Sequence, residues 1–102
     1  MICVIATIEV VPGRRQEFLA VFQELAPIVR AEKGCVEYLP MVDLPTSIPG
    51  QPPVNDNVVT VVEKWESVAA LETHLMAPHM AEFRKQTAGL RTGITLRILQ
   101  AS

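Results

Sequence analysis

The segment Ile2–Val11 is rich in β-branched residues and poor in helix formers, so it reads as a strand. Its even positions are Ile2, Val4, Ala6, Ile8 and Val10, and its odd positions are Cys3, Ile5, Thr7, Glu9 and Val11. Successive strand residues point to opposite faces, so both faces of this strand are largely apolar and both need cover. That requirement limits the fold more than any other feature of the chain. Pro12-Gly13 ends the strand.

The remaining periodicities place the other elements. Apolar residues at Phe18, Val21, Phe22, Leu25, Ile28 and Val29 have helical spacing and predict a helix over 14–33. Pro27 should kink or divide it, and Gly34 is its expected stop. A second strand is expected over 35–42, with Val36, Tyr38 and Val42 on one face. The connection 43–57 holds Pro45, Pro49, Pro52 and Pro53 and cannot be regular structure. Loops of that length are commonly functional lids, partner-binding arms or disordered, and either of the first two roles would tie substrate affinity or dimerisation to it. A third strand is expected over 58–65. Ser67 then caps a helix with Val68, Leu71 and Leu75 on its buried stripe, which Pro78 breaks or restarts before about Gly89. Alternation of Thr92, Ile94, Leu96 and Ile98 with Gly93, Thr95 and Arg97 marks a fourth strand.

The order βαββαβ is that of an α+β ferredoxin-like sandwich with a four-stranded antiparallel sheet, and 102 residues give room for this single domain alone. Two helices cover one face of such a sheet. A second copy of the sheet is the simplest cover for the other, which makes a homodimer the expectation.

Composition excludes several functions. The chain is 49% hydrophobic and 20% charged, with a net charge of −2, and no stripe of Lys or Arg is available to neutralise a phosphate backbone. Nucleic acid is therefore not an expected partner. The apolar start is too short to span a bilayer, is interrupted by Glu9, and lacks the basic start and cleavage site of a signal peptide, so neither membrane nor export is expected and a cytoplasmic location follows. Cys3 and Cys35 have neither paired spacing nor suitable His neighbours and read as reduced strand thiols. No glycine-rich phosphate loop is present.

The residues left to carry chemistry are few. Glu63 lies in the third strand on the face of Val59, Val61 and Trp65, where apolar neighbours would raise its pKa and fit it as a base. Pairing with an arginine or with backbone groups is the plainer role. Trp65 and Tyr38 are aromatic surfaces for stacking a ring or for filling the core. His74 and His79 are five apart, roughly 140° around a regular helix, which disfavours a shared metal; no metal site is expected. His79 continues the Leu71–Leu75 stripe and His74 lies at its edge, so either could reach an interior pocket and accept a phenolic proton near neutral pH.

Taken together, Pro12-Gly13-Arg14 leading to Glu17-Phe18, Glu32-Lys33-Gly34-Cys35, Pro40-Met41-Val42-Asp43, Glu63-Lys64-Trp65-Glu66-Ser67, and His74 with His79 resemble the antibiotic biosynthesis monooxygenase (ABM) domain family, in register from about residue 1 to residue 100. Pro40-Met41-Val42-Asp43, Trp65-Glu66-Ser67, His74-Leu75 followed by Pro78-His79-Met80, and Arg97-Ile98-Leu99-Gln100 resemble more narrowly the quinol monooxygenases of that family. The resemblance implies a dimeric α+β barrel that oxidises quinols or related phenols with O₂ and needs no metal, haem or flavin. It implies His74 or His79 as proton acceptor, Glu63 as an orienting group, and Trp65, Tyr38 and Met41 around the substrate. Haem-degrading members carry an Asn in the first strand where this chain has Ala6 or Thr7, so haem cleavage is not expected. The alternative is a dimeric module that binds a quinone or aromatic metabolite without turnover. An isomerase or dehydratase using the same histidines without O₂ is a further rival.

Overall fold

The structure, a computed structural model, describes residues 1–102. Its elements are β1 (Ile2–Val10), α1 (Arg15–Arg30), β2 (Cys35–Met41), β3 (Val58–Trp65), α2 (Val68–Leu75), α3 (Pro78–Thr87) and β4 (Arg91–Leu99). The four strands form one sheet in the order β2-β3-β1-β4, with every neighbouring pair antiparallel. This is the expected βαββαβ sandwich. No helix is long and apolar enough to cross a membrane.

Register explains which side chains enter the core. β1 sets Val4 opposite Glu63, Ala6 opposite Val61 and Ile8 opposite Val59, and on its other side Val4, Ala6 and Ile8 face Ile98, Leu96 and Ile94. The central-strand members of this face are buried beneath α1 and α3, where Phe18, Phe22, Leu25, Ala26 and Val29 of α1 meet Met80 and Phe83 of α3. Phe22 and Phe83 pack edge to face at 5.9 Å, and Phe18 and Phe83 likewise at 5.8 Å. The edge strand β4 lies beyond this cover, and Ile94, Leu96 and Ile98 are each about half exposed. Ile5, Val62 and Leu39 are aligned across the opposite face, which no element of this chain covers, and all three are only partly buried.

Three local expectations are corrected. Pro27 does not divide α1, which runs unbroken to Arg30. Pro27 is exposed and sits in the last turn, and Ala26 and Val29 on either side are anchored in the core. Val36, Tyr38 and Val42 do not share a buried face. Cys35 pairs with Trp65 and Glu37 with Lys64, so Val36 is an extra, bulged residue. The bulge turns Tyr38 inward opposite Glu63 and leaves Val36 54% exposed. In α2 the buried face holds Leu71 and His74, whereas Val68 is half exposed.

The proline-rich connection is irregular and exposed, as its composition requires. Its base is closed by the Asn55 N–H donating to the Asp43 carboxylate at 2.8 Å, and its tip by the Gln51 amide donating to the Leu44 carbonyl at 2.6 Å.

Gly34 closes the turn between α1 and β2 at φ +88°, and a Cβ built there would lie 2.6 Å from the Ala70 Cβ. Both the left-handed backbone and the approach of α2 therefore require glycine. Gly34→Ala should cost about 2–3 kcal/mol in urea unfolding. Adding Ala70→Gly should restore the contact part and leave a backbone cost of about 1 kcal/mol.

Candidate functional site

A cavity of about 390 Å³ opens between the helices and the β4 side of the sheet. Its walls come from β1 (Ala6, Ile8), β3 (Val61, Glu63), β4 (Ile94, Leu96) and the helices (Phe22, His74, Met80, Phe83), with Tyr38 of β2 joining them. Ten of its 14 lining residues are hydrophobic, so its few polar groups act where water screens them weakly.

The centre of that polar set is His74. The ring is 1% exposed, lies against Trp65 at 4.6 Å between centroids and meets Tyr38 edge-on at 5.5 Å. Its Nδ1 is 2.8 Å from Oε2 of Glu32, a residue of the turn before β2. The same oxygen is 3.0 Å from Nε2 of His79. Helical spacing alone sets the two histidines apart, but the chain bends at Met76-Ala77 before Pro78 starts α3, and the bend brings both rings to one carboxylate. The edge and stripe assignments are thereby exchanged: His74 is on the buried face and lines the cavity, while the His79 side chain is 26% exposed and does not. Glu32 was visible only as part of a turn motif, because its contacts span 42 and 47 residues.

Glu32, His74 and His79 each place one ligand-type atom within 4.8 Å of the others. A spacing of this kind can hold a cation, and the spacing argument against a shared ligand set does not survive the bend. The cluster is also satisfied without one, since no buried side-chain nitrogen or oxygen of the chain lacks a hydrogen-bond partner.

Electrostatics sort the titratable groups. Burial holds the His74 imidazolium below its ordinary pKa, opposed by the hydrogen bond and charge of Glu32 and reinforced by His79 and Arg84. Burial pushes the Glu63 carboxyl up to about 7; the Trp65 indole N–H, donating to Oε1 at 2.9 Å, pulls it back, and the charge of Glu32 adds to the rise. Burial, followed by the charges of Glu63 and Glu32, holds the Tyr38 phenol well above its ordinary value, so Tyr38 stays protonated. Burial also raises the Cys35 thiol, and both cysteines are free.

The other candidates divide. Tyr38 lines the cavity and stacks on Phe22 at 5.2 Å with 12° between planes. Trp65 is 0% exposed and has no free face for a ligand, so it reaches the site by packing on His74 and by its bond to Glu63. Met41 pairs with Thr60 on the opposite face of the sheet and lies outside the cavity, because strand alternation separates it from Tyr38. Two lining residues carried no sequence signal: Arg84 of α3 and Arg91 of β4.

The family model described as antibiotic biosynthesis monooxygenase matches residues 1–86. YgiN of Escherichia coli, whose name calls it a probable quinol monooxygenase, is 40% identical over 102 residues, covering 98% of this chain and 97% of that protein. Among solved structures, PA3566 of Pseudomonas aeruginosa superposes with a TM-score of 0.81 at 26% identity over 99% of this chain and 93% of its own. A crystal structure described as an antibiotic biosynthesis monooxygenase superposes with a TM-score of 0.79 at 25% identity, covering 100% of this chain and 99% of that one.

The raised carboxyl generates a stability prediction. A protonated Glu63 favours the folded state, so its contribution is whole below the carboxyl's unfolded pKa and is lost as pH rises through about 7. His74 acts in the opposite sense, because its depressed pKa removes stability as pH falls below about 6.5. Glu63→Gln keeps the shape and the acceptor for Trp65. Between pH 5 and pH 8 the wild type should lose on the order of 2 kcal/mol relative to this variant, read as the difference between their urea-unfolding free energies.

Proposed function

The chain belongs to the antibiotic biosynthesis monooxygenase family, and from that premise we propose that it oxidises a quinol or related phenol with O₂, using its own side chains and no resident cofactor. The observation that carries this reading is the Glu32–His74 pair at 2.8 Å on the wall of an apolar cavity sized for a one- or two-ring aromatic.

An ionised Glu32 accepts from Nδ1–H and so fixes the tautomer in which Nε2 of His74 carries the free lone pair. The lowered pKa keeps that ring neutral at pH 7 and ready to accept a proton. A substrate hydroxyl gives its proton to Nε2, and the imidazolium formed is stabilised by the carboxylate behind it. His79 supplies a second donor to the same oxygen and holds the carboxylate in place. The phenolate ring, unlike the neutral quinol, is electron-rich enough to reduce O₂. For a quinol passing to a quinone, the ring gives up two electrons and two protons, and O₂ leaves as hydrogen peroxide. Tyr38, protonated at any working pH, and Glu63 are further groups on the wall that can bond the substrate's oxygens.

The same proposal includes a homodimer. Ile5, Val62 and Leu39 form an apolar row across an uncovered sheet face, and a second copy of the sheet would bury it. On that reading Val62→Lys converts a dimer into a monomer in sedimentation, while a wild type that sediments as a monomer ends the idea.

The activity is tested by oxygen uptake and quinone formation from menadiol, measured against spontaneous autoxidation with chelator-treated protein, because the Glu32–His74–His79 cluster could carry a cation. His74→Ala should lower the enzymatic rate by about 10²–10⁴-fold. Glu32→Gln should lower it by about 10–100-fold with substrate binding retained, and His79→Ala by a few-fold only. Rates equal to background while menadione still binds would make the protein a binding module. Activity that chelation abolishes and a divalent cation restores would replace the cofactor-free reading.

A further inference from the structure

Two positive charges in the cavity have no counter-charge. Arg84 and Arg91 both line it. The chain's ion pairs are Arg14 with Glu17, Lys64 with Glu37, and Glu32 with the two histidines, and neither cavity arginine is among them. The one carboxylate in the lining, Glu63, accepts from the Trp65 indole and is half protonated near neutrality.

Arg84 is exposed and Arg91 half-buried, and hydrogen bonds tie both guanidiniums to the helices beside the cavity. Arg84 Nη2 donates to the Leu75 carbonyl at 2.5 Å, closing the end of α2. Arg91 Nε donates at 3.0 Å to the hydroxyl of Thr87, a fully buried residue, and Arg91 Nη2 donates to the Arg84 carbonyl at 3.1 Å. These bonds use one N–H of Arg84 and two of Arg91, out of five on each guanidinium. Helix capping accounts for the bonds made and leaves the other donors open. The charge of Arg84 is felt at the cavity wall, where it adds to the lowering of the His74 pKa and opposes part of the rise at Tyr38.

A cavity that needed only to hold a neutral ring would be lined by apolar groups and one or two neutral donors. We propose that Arg84 and Arg91 form a subsite for an anionic substituent, so that the preferred ligands are phenols or quinols bearing a carboxylate on the ring. Planar guanidinium groups match a carboxylate with paired, charge-assisted hydrogen bonds. A ring anchored at that end is then fixed relative to His74 in the same cavity. The inference rests on the reading that this cavity is the ligand site, and it extends that reading from ring shape to ring charge.

The test compares 1-hydroxy-2-naphthoate with 1-naphthol, a pair that shares the ring and hydroxyl and differs by one carboxylate. Neither is an electrophile toward the free thiols. Binding is measured by calorimetry on the wild type, Arg84→Met, Arg91→Met and the double variant. The wild type should bind the naphthoate about 10–100-fold more tightly than 1-naphthol. Each single substitution should narrow that preference, and the double variant should abolish it while still binding 1-naphthol, which also reports that it is folded. Equal affinities in the wild type would overturn the subsite and leave the cavity reading intact. A preference that survives the double substitution would overturn the assignment to these arginines. Binding of neither compound, together with no binding of menadione, would overturn the cavity reading and the subsite with it.

Discussion

The site depends on one oxygen atom. Oε2 of Glu32 lies within hydrogen-bond distance of a ring nitrogen on α2 and another on α3, and Glu32 itself belongs to the turn that ends α1 and begins β2. The turn before β2 thus meets two successive helices, 42 and 47 residues further along the chain, at a single carboxylate. A buried carboxylate is costly unless it is paired, and here two imidazole N–H groups satisfy it. The bond fixes where α2 ends relative to α3 and which nitrogen of His74 is free, so packing and chemistry answer to the same constraint.

Trp65 shows a related economy. It is the largest fully buried side chain, and its indole N–H needs a partner once water is excluded. Glu63, two residues earlier on the same strand face, supplies it. That bond lowers the carboxyl's pKa while burial raises it further, and the balance lies at about 7. A residue that stabilises the core therefore also sets the protonation of a cavity wall.

The architecture was legible in the sequence because it follows from local signals. β-Branched runs, Pro12-Gly13, Ser67 and the 3.6-residue spacing of Phe18, Phe22, Leu25 and Val29 each report on their own few neighbours. The candidate residues were legible only in part: Tyr38, Glu63 and His74 share the cavity, whereas His79, Trp65 and Met41 do not line it. Their roles were not, because those depend on contacts between distant positions. Helical phase put His79 on the stripe and His74 at its edge with either able to reach the interior, and the bend at Pro78 exchanges those positions. Glu32, Arg84 and Arg91 are ordinary charged residues by composition, and only the tertiary structure distinguishes them from the surface charges around them. Alternation likewise placed Val36 and Tyr38 on one face, since nothing in Cys35-Val36-Glu37 announces a bulge.

That bulge governs how the chain can vary in length. A strand counts in twos, and one surplus residue at Val36 inverts the count for everything after it in β2. Strict pairing from Cys35 would turn Tyr38 away from His74 and present Leu39 to the cavity side instead. Insertions and deletions in this chain thus fall into two unequal kinds. The exposed 43–57 connection closes on itself and can grow or shrink by any number of residues without disturbing parity in the sheet. Between Gly34 and Tyr38 a single residue gained or lost exchanges inside for outside, so homologues that share this cavity must keep the surplus residue even where they keep none of its chemistry.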